Sequence, residues 1–348
     1  ALPEHKNEMP FRVSVLADSS APIYTAAYIK DINVNSTNLP VVGEILEKID
    51  VGKVNSPVDT ANYLMFESGQ PFHVFDADRI EGDVFVRYAK SGESVTVLSG
   101  VTYDLDESVL VIADSKKILA IAGIIGAESV AVTDKTKNIF VESAFFDQVT
   151  IAKTCRKYNL SSDSAFRFER GVDYGNTEAM RNKIVKMLLD NVGGCCKGSL
   201  EIIGSLPSTS NTTLTIPYVS KVLGLELAPE DISSCLDKIG ALYTASGSTW
   251  NITPPSWRFD LTTAIDYVEE VLRCYGYEKL PQQDLVIKQH PDVSLNDPKK
   301  FIDNIRSHLI SRGLREVISY SFISKEEYNL FGDIDDSLQV LNPISSNM

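Results

Sequence analysis

Apolar residues come in short bursts through the first part of the chain and in longer, helically spaced sets beyond it. Phe11-Arg-Val-Ser-Val-Leu and Tyr24-Thr-Ala-Ala-Tyr-Ile have strand character, and Pro40 to Val51 puts Val42, Ile45, Leu46 and Ile49 on one side of a helix. Strand-like bursts recur at Val84–Tyr88, Val95–Leu98, Val109–Ala113 and Asn138–Glu142, with turn residues between them and Glu142 ending the last. Helices are predicted over 148–158 and 176–192, the second closed by Gly193-Gly194. The polar, aperiodic stretch from Leu206 to Thr213 reads as a linker. After it come helices over 218–223 and 228–239, a strand at Trp250–Thr253 and a stiff extended segment at Pro254–Asp260. The next helix carries an apolar stripe of Ile265, Val268, Leu272 and Tyr275. A second linker spans 282–298, Pro298 opens a helix to about Arg312, and Glu316–Phe322 reads as a strand. The pattern predicts a multidomain α+β chain, divided at 1–205, 206–282 and 283–348, with no internal repeat.

Composition adds limits. The apolar fraction of 43% over 348 residues is that of an ordinary globular protein with room for several cores. No apolar run approaches the roughly 20 residues of a membrane span, no signal peptide opens the chain, and residue 1 is not Met, as expected of a piece of something longer. Five cysteines (Cys155, Cys195, Cys196, Cys235 and Cys274) form no metal-ligand spacing, and the odd count favours reduced, cytoplasmic thiols. Forty-seven acidic against 33 basic side chains give a net charge of −14, which opposes tight independent binding of a nucleic acid.

Three stretches carry candidate chemistry. Val58–Gly82 mixes carboxylates, Asn62, Gln70 and His73 with aromatic residues, more polar groups than a plain core strand needs, and Gly69-Gln70-Pro71 turns the chain just before His73. His73 alone is as well read as a hydrogen-bonded structural histidine. Small residues at Ala122, Gly123, Gly126 and Ala127 permit either tight strand packing or close approach of a ligand, and their spacing is not a dinucleotide fingerprint. Residues 161–164 suit a helix cap. Asp266, Glu269 and Glu270 sit at i, i+3 and i+4 on one predicted exposed face; this is a solvated acidic face, or one neutralised by a basic partner or a hard cation such as Mg2+.

The run Asn62-Tyr-(x)4-Ser-Gly-Gln-Pro-Phe-His-Val-Phe-Asp-Ala-Asp-Arg-Ile-Glu-Gly closely resembles the editing module of phenylalanyl-tRNA synthetase β subunits. So do Ala122-Gly-Ile-Ile-Gly, Glu142-Ser-Ala-Phe-Phe and Arg167-Phe-Glu-Arg-Gly-Val-Asp, in the family's order. Pro254-Pro-Ser-Trp-Arg-Phe-Asp and the helix after it resemble the small, winged-helix-like domain that follows, and Asn342-Pro-Ile-Ser-Ser resembles the start of a class II synthetase-like catalytic module. The resemblance implies an α2β2 heterotetramer that charges tRNA(Phe) using ATP at a site on the α subunit, with a β-subunit module that hydrolyses tyrosyl-tRNA(Phe). It implies His73, Glu142 and Asn62 as catalytic residues, with Gly126, Ser162 and Ser164 lining the pocket. It also implies Asp260, Asp266, Glu269 and Glu270 as ligands of Mg2+ at the contact with the α subunit. Glu142 is the expected acceptor of the tyrosine hydroxyl, with His73 and Asn62 positioning ester and water. A second site makes physical sense, because a pocket built for phenylalanine rejects one added hydroxyl by only about 10²-fold. The chain departs from the family at Ala61 and Ser162, commonly Thr, at Ser164, commonly Ala, and at Ala127, commonly Gly. An alternative reading is therefore an editing-defective scaffold that docks the α subunit and orients tRNA.

Overall fold

The computed structural model describes residues 8–36, 38–204, 207, 211–281, 286, 298–332 and 338–345. Half of the first expected linker, 206–213, and nearly all of the second, 282–298, lie outside these residues, and Thr212 and Thr213 of the first already belong to a strand. The chain divides into two compact units, Ala1–Pro281 and Gln282–Met348. Its mixture of sheets and helices is of the α+β class expected.

Two sheets dominate the first unit. A five-stranded sheet runs in the order Val13–Val15, Val84–Tyr88, Leu110–Ala113, Ile118–Ile121 and Ile125–Gly126. A four-stranded antiparallel sheet runs Cys195–Ile203, Ile23–Lys30, Ile139–Phe145 and Phe72–Asp76. Strand alternation divides the four-stranded sheet's residues between two cores. Tyr24, Ala26, Phe75, Phe140 and Ala144 face the five-stranded sheet and share a core with Ile112 and Ile121. Ala27, Ile29, Val74, Ile139 and Val141 face the helix Thr177–Val192 and pack on Ile184, Val185 and Leu188. Because both faces are covered, these strands are almost continuously apolar, and each polar residue in them is conspicuous.

The Glu142 strand does not end at Glu142. It continues to Phe145, pairing Glu142 with Ala26 on one side and His73 on the other, so the carboxylate sits in mid-sheet. A helix at Ser56–Ser68 is an addition to the sequence reading. Asn55 caps it through Val58 N–H, and Gly69 ends it in the left-handed conformation at φ 77°.

A third core belongs to residues 212–277, where three helices pack on the antiparallel strands Thr212–Thr215, Thr249–Thr253 and Leu242–Ser246 around Trp250, Leu236 and Tyr267. Pro254–Asp260 is not the extended segment expected. It turns at Pro255, whose carbonyl accepts from Arg258 N–H, and again at Asp260. That turn joins the small domain to the sheets: Phe259 stacks on Phe145 at 5.9 Å, and Ser256 donates to Asp173 at 2.5 Å. In the second unit, Pro298–Ser311 is helical as expected. Glu316–Phe322 is not a strand, because these exposed residues have no neighbouring strand to pair with among those described.

Candidate active site

The turn expected before His73 is pinned to the Glu142 strand. The buried Gln70 amide donates to the Ala144 carbonyl at 2.9 Å and to the Pro71 carbonyl at 3.1 Å, which fixes where Phe72–Asp76 begins. His73 therefore emerges opposite Glu142, on the face turned toward the five-stranded sheet. Its ring stands edge-on to Phe75 at 4.3 Å and lies against Gly126. A methyl group added at Gly126 would come within 2.5 Å of His73 Nε2, so glycine here makes room for the imidazole. At Gly126 the small-residue stretch admits close packing of a side chain from the neighbouring sheet.

The His73 ring edges a cleft of about 480 Å³ between the Ser56–Ser68 helix and the segment 124–126. Asn62, Gly126, Ser162 and Ser164 also line it, with Met65, Phe66 and Leu98 as the apolar walls. Glu142 lies deeper, in an adjoining recess of about 30 Å³ that His73, Ile124, Ser164 and Phe168 share. That is room for a water molecule, or for a hydroxyl, but not for a ring. All six residues singled out for the pocket thus meet at one cleft and its recess.

Their electrostatics differ. Burial without a cationic partner pushes the Glu142 carboxyl up to about 7, against which the Tyr24 hydroxyl, donating to Oε2 at 2.9 Å, pulls down. Burial pulls the His73 imidazole down to about 4, so it is neutral at pH 7. Neither ring nitrogen of His73, nor the Asn62 amide, is hydrogen-bonded within the described residues. Ser162 is committed instead: its hydroxyl donates to the Ile124 carbonyl at 2.7 Å and accepts from Ala165 N–H, capping the helix Asp163–Phe168. Ser164 makes only a 3.8 Å contact to Met65 sulfur. Tyr24 was not anticipated. Its signal was a phenol inside a buried apolar strand, where the hydroxyl must find a partner.

The four acids behave otherwise than predicted. Asp266, Glu269 and Glu270 do not share an exposed face, since Glu270 is buried. Its carboxylate receives Arg258 at 2.9 Å and Arg273 at 2.6 Å, and Arg258 also grips Asp260 through two bonds of 2.8 and 2.6 Å. These guanidinium bonds hold Glu270 and Asp260 below the usual carboxylate range. Asp266 accepts from the N–H groups of Thr262 and Thr263 at the helix start, Asp260 is exposed but held by Arg258, and Glu269 is exposed on the helix. Tyr267, beside them in sequence, has an unpartnered buried hydroxyl, but burial pushes it up to about 12, and a protonated phenol is a poor ligand for a hard cation. Among the described residues no group of three or more His, Cys, Asp or Glu is placed to hold a metal ion. The set does not fit magnesium as it stands, because Arg258 already occupies the position between its two best donors. The helix is also rotated from the expected stripe: Ile265 is exposed, and Tyr267, Val268 and Val271 face the core. Arg258→Ala is expected to lower the melting midpoint of the chain through a loss of about 1–3 kcal/mol, while EDTA leaves it unchanged. Stabilisation of the chain by millimolar magnesium would refute this assignment.

Residues 20–193 match the B3/4 domain, residues 212–277 the tRNA synthetase B5 domain, and residues 281–348 the phenylalanyl tRNA synthetase beta chain CLM domain. The chain is 35% identical over 347 residues to the phenylalanine–tRNA ligase beta subunit of Burkholderia mallei, covering 100% of this chain and 42% of the relative. It is likewise 35% identical over 346 residues to that of Yersinia pestis, covering 98% of this chain and 43% of the relative. Among solved structures, an N-terminal fragment of the phenylalanyl-tRNA synthetase beta subunit from Pyrococcus horikoshii matches with a TM-score of 0.37 and 20% identity, over 80% of this chain and 78% of that one. The chain belongs to the family of phenylalanyl-tRNA synthetase β subunits, and spans less than half the length of the curated relatives it matches.

Proposed function

We propose that this chain proofreads within a phenylalanine–tRNA ligase, hydrolysing tyrosine wrongly attached to tRNA(Phe). One observation carries the reading: the unpaired polar groups of His73 and Asn62 border a cleft whose recess ends at the Glu142 carboxyl. The mischarged aminoacyl ester lies in the cleft with its aromatic ring against Met65, Phe66 and Leu98. Its phenolic hydroxyl takes the water-sized recess and donates to Glu142, a bond phenylalanine cannot make. His73, neutral at pH 7, and the Asn62 amide orient the ester and the attacking water, so their contribution is positional rather than a large proton-transfer term. Attack of water on the ester carbonyl breaks the bond to the terminal ribose, releasing tyrosine and free tRNA.

The same proposal places the chain beside a catalytic α subunit in a heterotetramer, with ATP consumed at the α-subunit site and the assembly in the cytoplasm. Its net charge of −14 leaves most of the tRNA affinity to partner domains. Glu269, exposed on its helix, is the acid of the four best placed to meet a partner, and no step of the hydrolysis runs through magnesium. The departures from the family at Ala61, Ser162 and Ser164, all of which line the cleft, favour the second reading, a scaffold whose editing has lapsed. Deacylation of tyrosyl-tRNA(Phe) by the enzyme containing this chain separates the two. Proofreading gives hydrolysis well above the spontaneous rate and faster than for phenylalanyl-tRNA(Phe); a rate equal to the spontaneous one leaves only the scaffold.

A further inference from the structure

Glu142 presents one carboxylate to two possible phenols. From this geometry we infer that Tyr24 is a positioning residue for amino-acid selection: its hydroxyl binds one oxygen of Glu142 and holds the other ready for the substrate's hydroxyl. The inference rests on the proofreading reading and adds to it a residue on a third strand.

Tyr24 and Glu142 are both buried, and they lie on adjacent strands, two residues out of register. Glu142 pairs with Ala26, so Tyr24 is its diagonal neighbour on the same face, within reach for a long aromatic side chain. The bond is 2.9 Å from the Tyr24 hydroxyl to Oε2. No described residue donates to Oε1, and no Lys or Arg neutralises the carboxylate. A carboxylate held by one donor keeps its plane and leaves its second oxygen's lone pairs in a fixed direction. Without Tyr24 it would be free to turn, and every rotamer lost on binding would cost selectivity.

The bond also sets which form of Glu142 is present. A phenol donating to the carboxylate favours the charged form, which is the stronger acceptor for the substrate. The titratable groups facing the carboxyl are Tyr24 on one neighbouring strand and His73 on the other. The segments closing the recess contribute Ile124, Ile125, Ser164 and Phe168, none of which titrates. Removing the Tyr24 hydroxyl therefore leaves burial unopposed, and the carboxyl holds its proton to higher pH.

Tyr24→Phe keeps the ring that packs in the core and removes only the donor. In the enzyme containing this chain, the ratio of tyrosyl- to phenylalanyl-tRNA(Phe) deacylation is measured from pH 6 to 9 in wild type, Tyr24→Phe, Glu142→Gln and the double variant. The wild-type ratio is expected to rise through about pH 7. In Tyr24→Phe the midpoint moves up by about one pH unit, so the ratio at pH 7 drops about fivefold. In the Glu142→Gln background, the same change has no further effect on the ratio. An unmoved midpoint with a wild-type ratio overturns the inference, and an equal loss in both backgrounds reduces Tyr24 to a packing residue. A wild-type enzyme that does not deacylate tyrosyl-tRNA(Phe) removes the proofreading reading itself and this inference with it. A Tyr24→Phe chain that fails to fold is resolved by the double variant, whose neutral amide needs no charge-stabilising donor; if that also fails to fold, Tyr24 acts through packing and the inference is overturned.

Discussion

Glu142→Ala is expected to abolish the preference for tyrosyl- over phenylalanyl-tRNA(Phe) in deacylation, a loss of about 1.5–3 kcal/mol or roughly ten- to 150-fold in the ratio. The reason is geometric. The carboxyl stands at the end of a recess adjoining the cleft, and only a substrate with a hydroxyl in the right place reaches it. His73→Ala should behave differently. It removes a group beside the ester rather than beside the phenol, so hydrolysis slows while the residual rate keeps its tyrosine selectivity. Phenylalanine activation should be untouched in both. Alanine at 142 also strands the buried Tyr24 hydroxyl, so Glu142→Gln is the necessary companion, retaining shape and an acceptor oxygen. Unchanged selectivity in Glu142→Ala, in an enzyme that does edit, would sink the assignment.

How far the sequence leads here depends on the range of the interactions involved. Strands such as Val84–Tyr88 were legible because β-branched and aromatic residues between turn signals have few other uses. The Ser56–Ser68 helix was passed over although Asn55, Pro57 and Gly69 punctuate it, because Asp59, Asn62 and Glu67 interrupt any apolar stripe. Asn62 is one of those interruptions, and it lines the cleft. The residues that blurred the helix are thus partly those that make the site.

The acidic helix shows the converse failure. Spacing at i, i+3 and i+4 places three carboxylates near one another but says nothing about what comes from outside the helix. Arg258, twelve residues before Glu270 and held in the Pro255 turn, drew Glu270 inward and left Ile265 in solvent. Tyr24 was illegible for the same reason, since its partner lies 118 residues away across a strand pairing that local pattern does not specify. Local periodicity located the elements, whereas long-range polar pairs decided which faces they bury.

The buried Glu142 and the half-buried His73 on adjacent strands make the pH dependence of stability the sharpest test of the site's electrostatics. Glu142 titrates at about 7 in the folded chain against an ordinary 4.5, so between those values the folded state keeps a proton that the unfolded state has lost. Its contribution is full below pH 4.5 and disappears as pH rises through 7, in total about 3 kcal/mol. His73 titrates at about 4 against an ordinary 6.5, so there the unfolded state takes up the proton first. Its contribution is full above pH 6.5 and is lost as pH falls through 4; because part of the ring faces the open cleft, the total is smaller, about 1–3 kcal/mol. Over pH 4.5–6.5 the two slopes oppose, and the wild-type chain should show little net dependence from this pair. Each variant uncovers the other's slope. Relative to wild type, Glu142→Gln should gain stability as pH rises from 4.5 to 7, and His73→Asn should lose it from pH 4 to 6.5. Denaturant unfolding of the three chains at half-unit pH intervals reads these differences directly. A Glu142→Gln difference that stays constant from pH 4.5 to 7 would mean the carboxyl is already ionised in the fold. The recess would then be more solvated than its 30 Å³ allows.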